Sequence, residues 1–118
     1  MPRCIGSDTP KAKMKAVDFL GDSLARLRAF PDEARSEVGF QLRRVQNGED
    51  PADWKPMTAI GPGVREIRVR EGSGAFRVIY LASLPDRIVV LHAFQKKTHQ
   101  TSKRDIDLAA ARLRELNG

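Results

Sequence analysis

Between Val64 and Phe94 the chain carries three consecutive strand patterns joined by short turns, and this limits its possible folds more than any other feature. Val64 to Arg70 alternates, with Arg65, Ile67 and Val69 on one side and Glu66, Arg68 and Arg70 on the other. Successive side chains of a strand point to opposite faces, so this run reads as a strand with one apolar-rich and one charged face. Glu71-Gly72-Ser73-Gly74 has turn composition. Ala75 to Ala82 follows, with Phe76, Val78, Ile79 and Tyr80, and Leu84-Pro85-Asp86 turns the chain again. Arg87 to Phe94 contains Ile88, Val89, Val90 and Leu91, the near-continuous apolar run of a central strand. Short turns join antiparallel neighbours, so the three strands form a meander.

The flanking segments supply helices. Val17 and Phe19 alternate with Ala16 and Asp18 as a short first strand, and Gly21-Asp22-Ser23 offers a turn and a cap. Leu24, Leu27 and Phe30 predict a short helix to about Ala29. Pro31 ends it and opens a second, with Asp32 and Glu33 in the first turn, where the helix dipole favours acids. Ala34, Val38, Leu42 and Val45 form its apolar stripe, and Asn47-Gly48 stops it. Glu49 to Gly63 reads as a long loop pinned by Trp54 and Met57. A last helix begins at Thr101-Ser102, with Asp105 completing a weak capping box and Ile106, Ala109, Leu113 and Leu116 on the buried face. The order β-α-α-β-β-β-α is α+β: an antiparallel twisted sheet with an N-terminal helical hairpin and a C-terminal helix. Residues 1–14 read as a mobile tail and residues 15–118 as a single domain.

Charge narrows the function. The 118 residues contain 21 Lys plus Arg against 15 Asp plus Glu, a net charge of +6 that favours an anionic partner, nucleic acid first. The single cysteine, Cys4, allows no intrachain disulfide. No apolar run has the length of a transmembrane helix or signal peptide, so no membrane association is expected and the cytoplasm is the default location.

Arg87, Lys96, Lys97, Lys103 and Arg104 fall in one stretch without an acid, and both histidines, His92 and His99, lie there too. The preceding hairpin adds Arg65, Arg68, Arg70 and Arg77. Strand register decides whether these cations form one phosphate-binding surface or an ordinary solvated face. His92 shares a strand side with Phe94 and Lys96 if the strand continues. An imidazole beside cations suits RNA cleavage, in which the ribose 2′-hydroxyl loses a proton, attacks phosphorus and expels the 5′ oxygen. Arg and Lys can hold the extra charge of the phosphorane without a metal. Neighbouring positive charge is expected to lower the His92 pKa. No metal-ligand spacing is present, and Pro31-Asp32 with Asp53-Trp54-Lys55 only imitates a metal-nuclease pattern, since its acids fall on a helix start and a loop.

Three segments carry a family resemblance: Gly63 to Arg70, the Phe76-Arg77-Val78-Ile79-Tyr80 strand, and His92-Ala93-Phe94-Gln95-Lys96-Lys97-Thr98. With Trp54-Lys55-Pro56-Met57 and the Ser102-to-Ala109 run, they resemble the phage-derived branch of the RelE/HigB toxins of type II toxin–antitoxin systems, from about Lys15 onward. The resemblance implies a RelE-like fold and a metal-independent endoribonuclease, an mRNA interferase that cuts mRNA on the ribosome and arrests translation. It also implies a cognate antitoxin, commonly a helix-turn-helix protein. Carried over by position, Arg77 matches the arginine that contacts the scissile phosphate, and Lys97, with Lys96, matches the basic position after the last strand. Arg68 and Arg70 match basic positions on the first meander strand, and His92 is typical of the branch. The expected catalytic residues are Arg77, His92 and Lys97, with Arg65, Arg68, Arg70, Lys96, Lys103 and Arg104 binding phosphate. Arg77 is expected to face the ligand and contribute little to the core, whereas Tyr80, the only tyrosine, reads as core. Two other functions fit the same fold: a non-nucleolytic, ParE-like inhibitor of DNA gyrase, and an inactive phage-derived binding protein.

Overall fold

The computed structural model describes residues 14–72, 74–96 and 101–117. Its elements are β1 (Ala16–Phe19), α1 (Ser23–Arg28), α2 (Asp32–Gln46), β2 (Trp54–Pro56), β3 (Val64–Glu71), β4 (Gly74–Leu81), β5 (Arg87–Lys96) and α3 (Lys103–Asn117). The α+β order read from the sequence is present, with one addition: the segment expected to be a loop contributes the short strand β2. Lys97 and His99 lie outside the described residues, as do Cys4 and all of the expected tail except Met14.

The sheet has five strands in the order β1-β5-β4-β3-β2. β3, β4 and β5 form the meander, β2 adds antiparallel to β3, and β1 pairs parallel to β5. The β3–β4 hairpin closes with Glu71 opposite Gly74, and Gly72 turns it at a φ of 59°, a left-handed conformation cheap only for glycine.

Helices cover both faces. On one face the α2 stripe of Ala34, Val38, Leu42 and Val45, with Leu27 and Phe30, packs on Ile67, Val69, Phe76, Val78, Tyr80, Ile88 and Val90. On the other, Ala109 and Leu113 of α3 pack with Met57, Ile60, Val64, Ile79, Leu81, Val89, Leu91 and Phe94. Full burial of one such side chain stabilises by about 1.5–3 kcal/mol, which is why β4 and β5 are apolar on both sides. Gln41 anchors the long connection: its Oε1 accepts from the backbone N–H of Ala52 at 2.7 Å.

One irregularity organises the second face. Tyr80 pairs with Val90, but Ile79 pairs with His92, so Leu91 is an extra residue in β5. A bulge of this kind leaves one residue unpaired and re-aims those that follow. The Leu91 carbonyl accepts from Arg112 Nη1 of α3 at 2.8 Å. Beyond the bulge His92, Phe94 and Lys96 stand opposite Ile79, Arg77 and Ala75, on the α3 side of the sheet.

Candidate RNA-binding face

Register converts the linear pattern into a grid. Lys55 of β2, Glu66 of β3, Ile79 of β4 and His92 of β5 make one row. Arg68, Arg77 and Phe94 make the next, and Arg70, Ala75 and Lys96 the third. These side chains share the α3 face, because partners directly opposite in a sheet point the same way. Arg68, Arg70, Arg77 and Lys96 therefore converge beyond the N-terminal end of α3. Arg70 is exposed, Arg68 and Lys96 are half-buried, and Arg77 is 3% exposed.

Arg77 is the inner cation. Its Nη1 donates to the Phe76 carbonyl at 3.0 Å, and its Nε lies 3.6 Å from Glu66 Oε1. Glu66 is fully buried, and its Oε2 accepts from the Thr101 hydroxyl at 2.6 Å. Neither Glu66 Oε1 nor Arg77 Nε has a hydrogen-bond partner among the described residues. Burial lowers the Arg77 pKa; Glu66 opposes the shift, while Arg68 and Arg70 add to it. Partial burial also pulls Lys96 below the ordinary lysine range, assisted by Arg77, Arg68 and Lys55. Like charges crowded into one field disfavour one another. The expectation that Arg77 contributes little to the core is corrected: its guanidinium is 3% exposed beside a buried acid on the neighbouring strand.

His92 is 1% exposed, and its Nε2 meets Asp105 Oδ1 at 2.7 Å. Asp105 Oδ2 accepts from the Ser102 hydroxyl at 2.6 Å, while the Asp105 N–H donates to Ser102 Oγ at 3.2 Å, completing the cap of α3. The ring stacks on Phe94 with centroids 5.0 Å apart. Its pKa is lowered as expected, but chiefly by burial; Asp105 opposes the shift, and Arg112 and Arg26, rather than Lys96, assist it. An imidazole enclosed in this way docks α3 and does not present a nitrogen to solvent.

Arg65, another expected phosphate ligand, is placed on the opposite face. Arg65 points to the α2 face, where strand alternation puts it; its guanidinium lies 4.1 Å from the Trp54 ring centroid and 3.0 Å from Asp50. Lys103 and Arg104 are exposed on the first turn of α3, and Lys103 is tied to Asp107 at 2.8 Å. Tyr80 is fully buried on the α2 face, and burial raises its pKa. Sequence reasoning missed the part played by Glu66, Thr101 and Asp105 at this face. The available signal was Glu66, an acid on the same strand side as Arg68 and Arg70.

Among the described residues, no helix is long and apolar enough to cross a membrane. No curated protein matches the chain. A family model described as "Phage derived protein Gp49-like (DUF891)" matches residues 25–114, which contain every described cation of the face. With most of its length matched, the chain belongs to the phage-derived Gp49-like family, a RelE/HigB-like toxin family.

Proposed function

We propose that the chain is the toxin of a toxin–antitoxin pair and acts as a metal-independent endoribonuclease, cutting mRNA on the ribosome and arresting translation. The observation that carries this reading is the convergence of Arg68, Arg70, Arg77 and Lys96 on one sheet face. Exposed Arg70 and half-buried Arg68 draw the RNA backbone, and buried Arg77 meets the scissile phosphate in a low-dielectric setting. There a cation stabilises the developing phosphorane more strongly than it would in water. Lys96, with its lowered pKa, gives up a proton more readily than an ordinary lysine and can protonate the leaving 5′ oxygen. Lys97, next in the chain, is the second candidate for that role. His92 serves this chemistry by fixing α3 beside the face.

The basic face also fits an acidic or amphipathic element of the antitoxin, for which a helix-turn-helix protein is the expected type. Controlled expression with primer-extension mapping of mRNA ends tests the function. New ends within codons, abolished by Arg68→Ala with Arg70→Ala, are expected. Intact mRNA with a DNA supercoiling defect would replace the nuclease with a gyrase inhibitor.

A further inference from the structure

We propose that Glu66 is a positioning residue: Thr101 fixes its carboxylate, and the carboxylate sets the guanidinium of Arg77 for phosphate. The proposal deepens the endoribonuclease reading and rests on it.

A carboxylate in this position needs explaining. Glu66 is 0% exposed, and its cross-strand neighbour Ile79 is as deeply buried. Removing a carboxylate and a guanidinium from water is costly, and an apolar pair of the same volume commonly serves stability as well or better. The geometry is also poor for a bond whose only task is stability. Nε and Oε1 stand 3.6 Å apart, and neither atom has a hydrogen-bond partner among the described residues. Pairs of this kind tighten when substrate arrives, as catalytic hydrogen bonds often do.

The rest of the arrangement suits orientation. Thr101 holds Oε2 at 2.6 Å and is itself only 9% exposed, so the carboxylate has little freedom to rotate. Oε1 is thereby aimed at Nε, and Nη1 is held by the Phe76 carbonyl. Nη1 and Nε both face protein oxygens, so the proposal assigns the contact with a phosphate oxygen to Nη2. Glu66 also opposes the repulsion that Arg68 and Arg70 exert on Arg77. Thr101 directly precedes the cap of α3, so the relay ties the inner cation to the docked helix.

The test uses the full chain as wild type, Glu66→Gln and Thr101→Val, with three readings on each. Proton–nitrogen NMR reports the Arg77 Nε–H, identified by its loss in Arg77→Lys. Single-turnover cleavage on programmed ribosomes reports rate and KM, and thermal melting reports folding. Wild type should show a resolved, slowly exchanging Arg77 signal. In Glu66→Gln that signal should merge with those of mobile arginines and the saturated rate should fall about 10- to 100-fold, as for a misplaced catalytic group. KM should stay within about twofold, because the charged rim that binds RNA is untouched. Thr101→Val should shift both readings in the same direction, less strongly, and decides alone if Glu66→Gln does not fold. A folded variant with an unchanged Arg77 signal and rate overturns the proposal, as does a lowered melting temperature with an unchanged rate. Absence of cleavage by wild type would sink the nuclease reading instead, and the Arg77 signal would still decide whether Glu66 orders the guanidinium.

Discussion

His92 of the interior strand β5 and Asp105 of α3 meet at 2.7 Å, and this contact joins the C-terminal helix to the sheet beside the basic face. Its pH dependence follows from the burial of the ring. The folded-state pKa of His92 lies below its ordinary value of about 6.5. Between the two values the unfolded chain binds more protons, so stability rises with pH. The melting temperature should therefore fall as pH drops below about 6.5, and His92→Gln should weaken that dependence while costing about 1–2 kcal/mol at neutral pH. Melts across this range check both; equal slopes for wild type and variant would contradict the assignment.

Arg77→Ala should lower stability as well as activity. It leaves the buried Glu66 carboxylate without its cation, a loss of about 3 kcal/mol. Adding Glu66→Gln to Arg77→Ala should recover part of that loss, because no unpaired charge then remains inside. Urea melts of the two single variants and the double variant form the cycle that measures it. Strict additivity of the two losses would show that the residues do not interact.

Arg68→Ala and Arg70→Ala should behave differently. Both side chains lie at the open edge of the face, so each should change stability by less than about 0.5 kcal/mol. Each should weaken binding to a short RNA and reduce the salt dependence by roughly one phosphate contact. Fluorescence anisotropy over a series of salt concentrations gives the slope; a slope unchanged in both variants would remove them from the RNA path.

Much of this framework was legible in the sequence, because periodicity is local. The alternation in β3 placed Glu66, Arg68 and Arg70 together, and Ser102 with Asp105 marked the start of α3. Three features were not legible, since each depends on contacts distant in sequence. The parallel pairing of Ala16 with Arg87 joins residues that are 71 positions apart in the chain. Strand β2 exists only because β3 offers it an edge, and Trp54–Pro56 has too few residues to show a period. The bulge at Leu91 shifts register by one residue inside a run apolar on both faces, where no alternation marks it. That single residue turns His92, Phe94 and Lys96 toward Arg77. The same limit explains Arg65: it counted among the basic residues, yet it stands on the opposite face from Arg68.

A second tie holds α3 two turns further along the helix. Arg112 reaches Asp22 at 2.6 Å as well as the Leu91 carbonyl, and its guanidinium covers Gly21, whose φ is 55°. A Cβ at Gly21 would lie 2.5 Å from the guanidinium carbon, in a backbone conformation that L residues rarely adopt. Gly21→Ala should therefore cost about 1–2 kcal/mol. The hydrogen bonds from Arg112 and Arg26 lower the Asp22 pKa to about 2. Its stabilisation is present above the ordinary carboxylate pKa of about 4 and is lost as pH falls toward 2. Asp22 is half exposed, so solvent screening should hold the effect below about 1 kcal/mol. Acid melts of Asp22→Asn should show a shallower loss over that interval, and an unchanged acid limb would count against the pairing.

Cleavage of a defined message by purified protein on programmed ribosomes, in a single turnover with a chelator present, tests the catalytic role of the basic face most directly. Wild type should cut within the codon positioned on the ribosome. Lys96→Ala should bind those ribosomes with near-normal affinity and cut at least about tenfold more slowly, the lower range of a lost acid–base or charge-stabilising group. Full-rate cleavage by a folded Lys96→Ala, Arg68→Ala, Arg70→Ala triple variant would show that the chemistry lies elsewhere on the molecule.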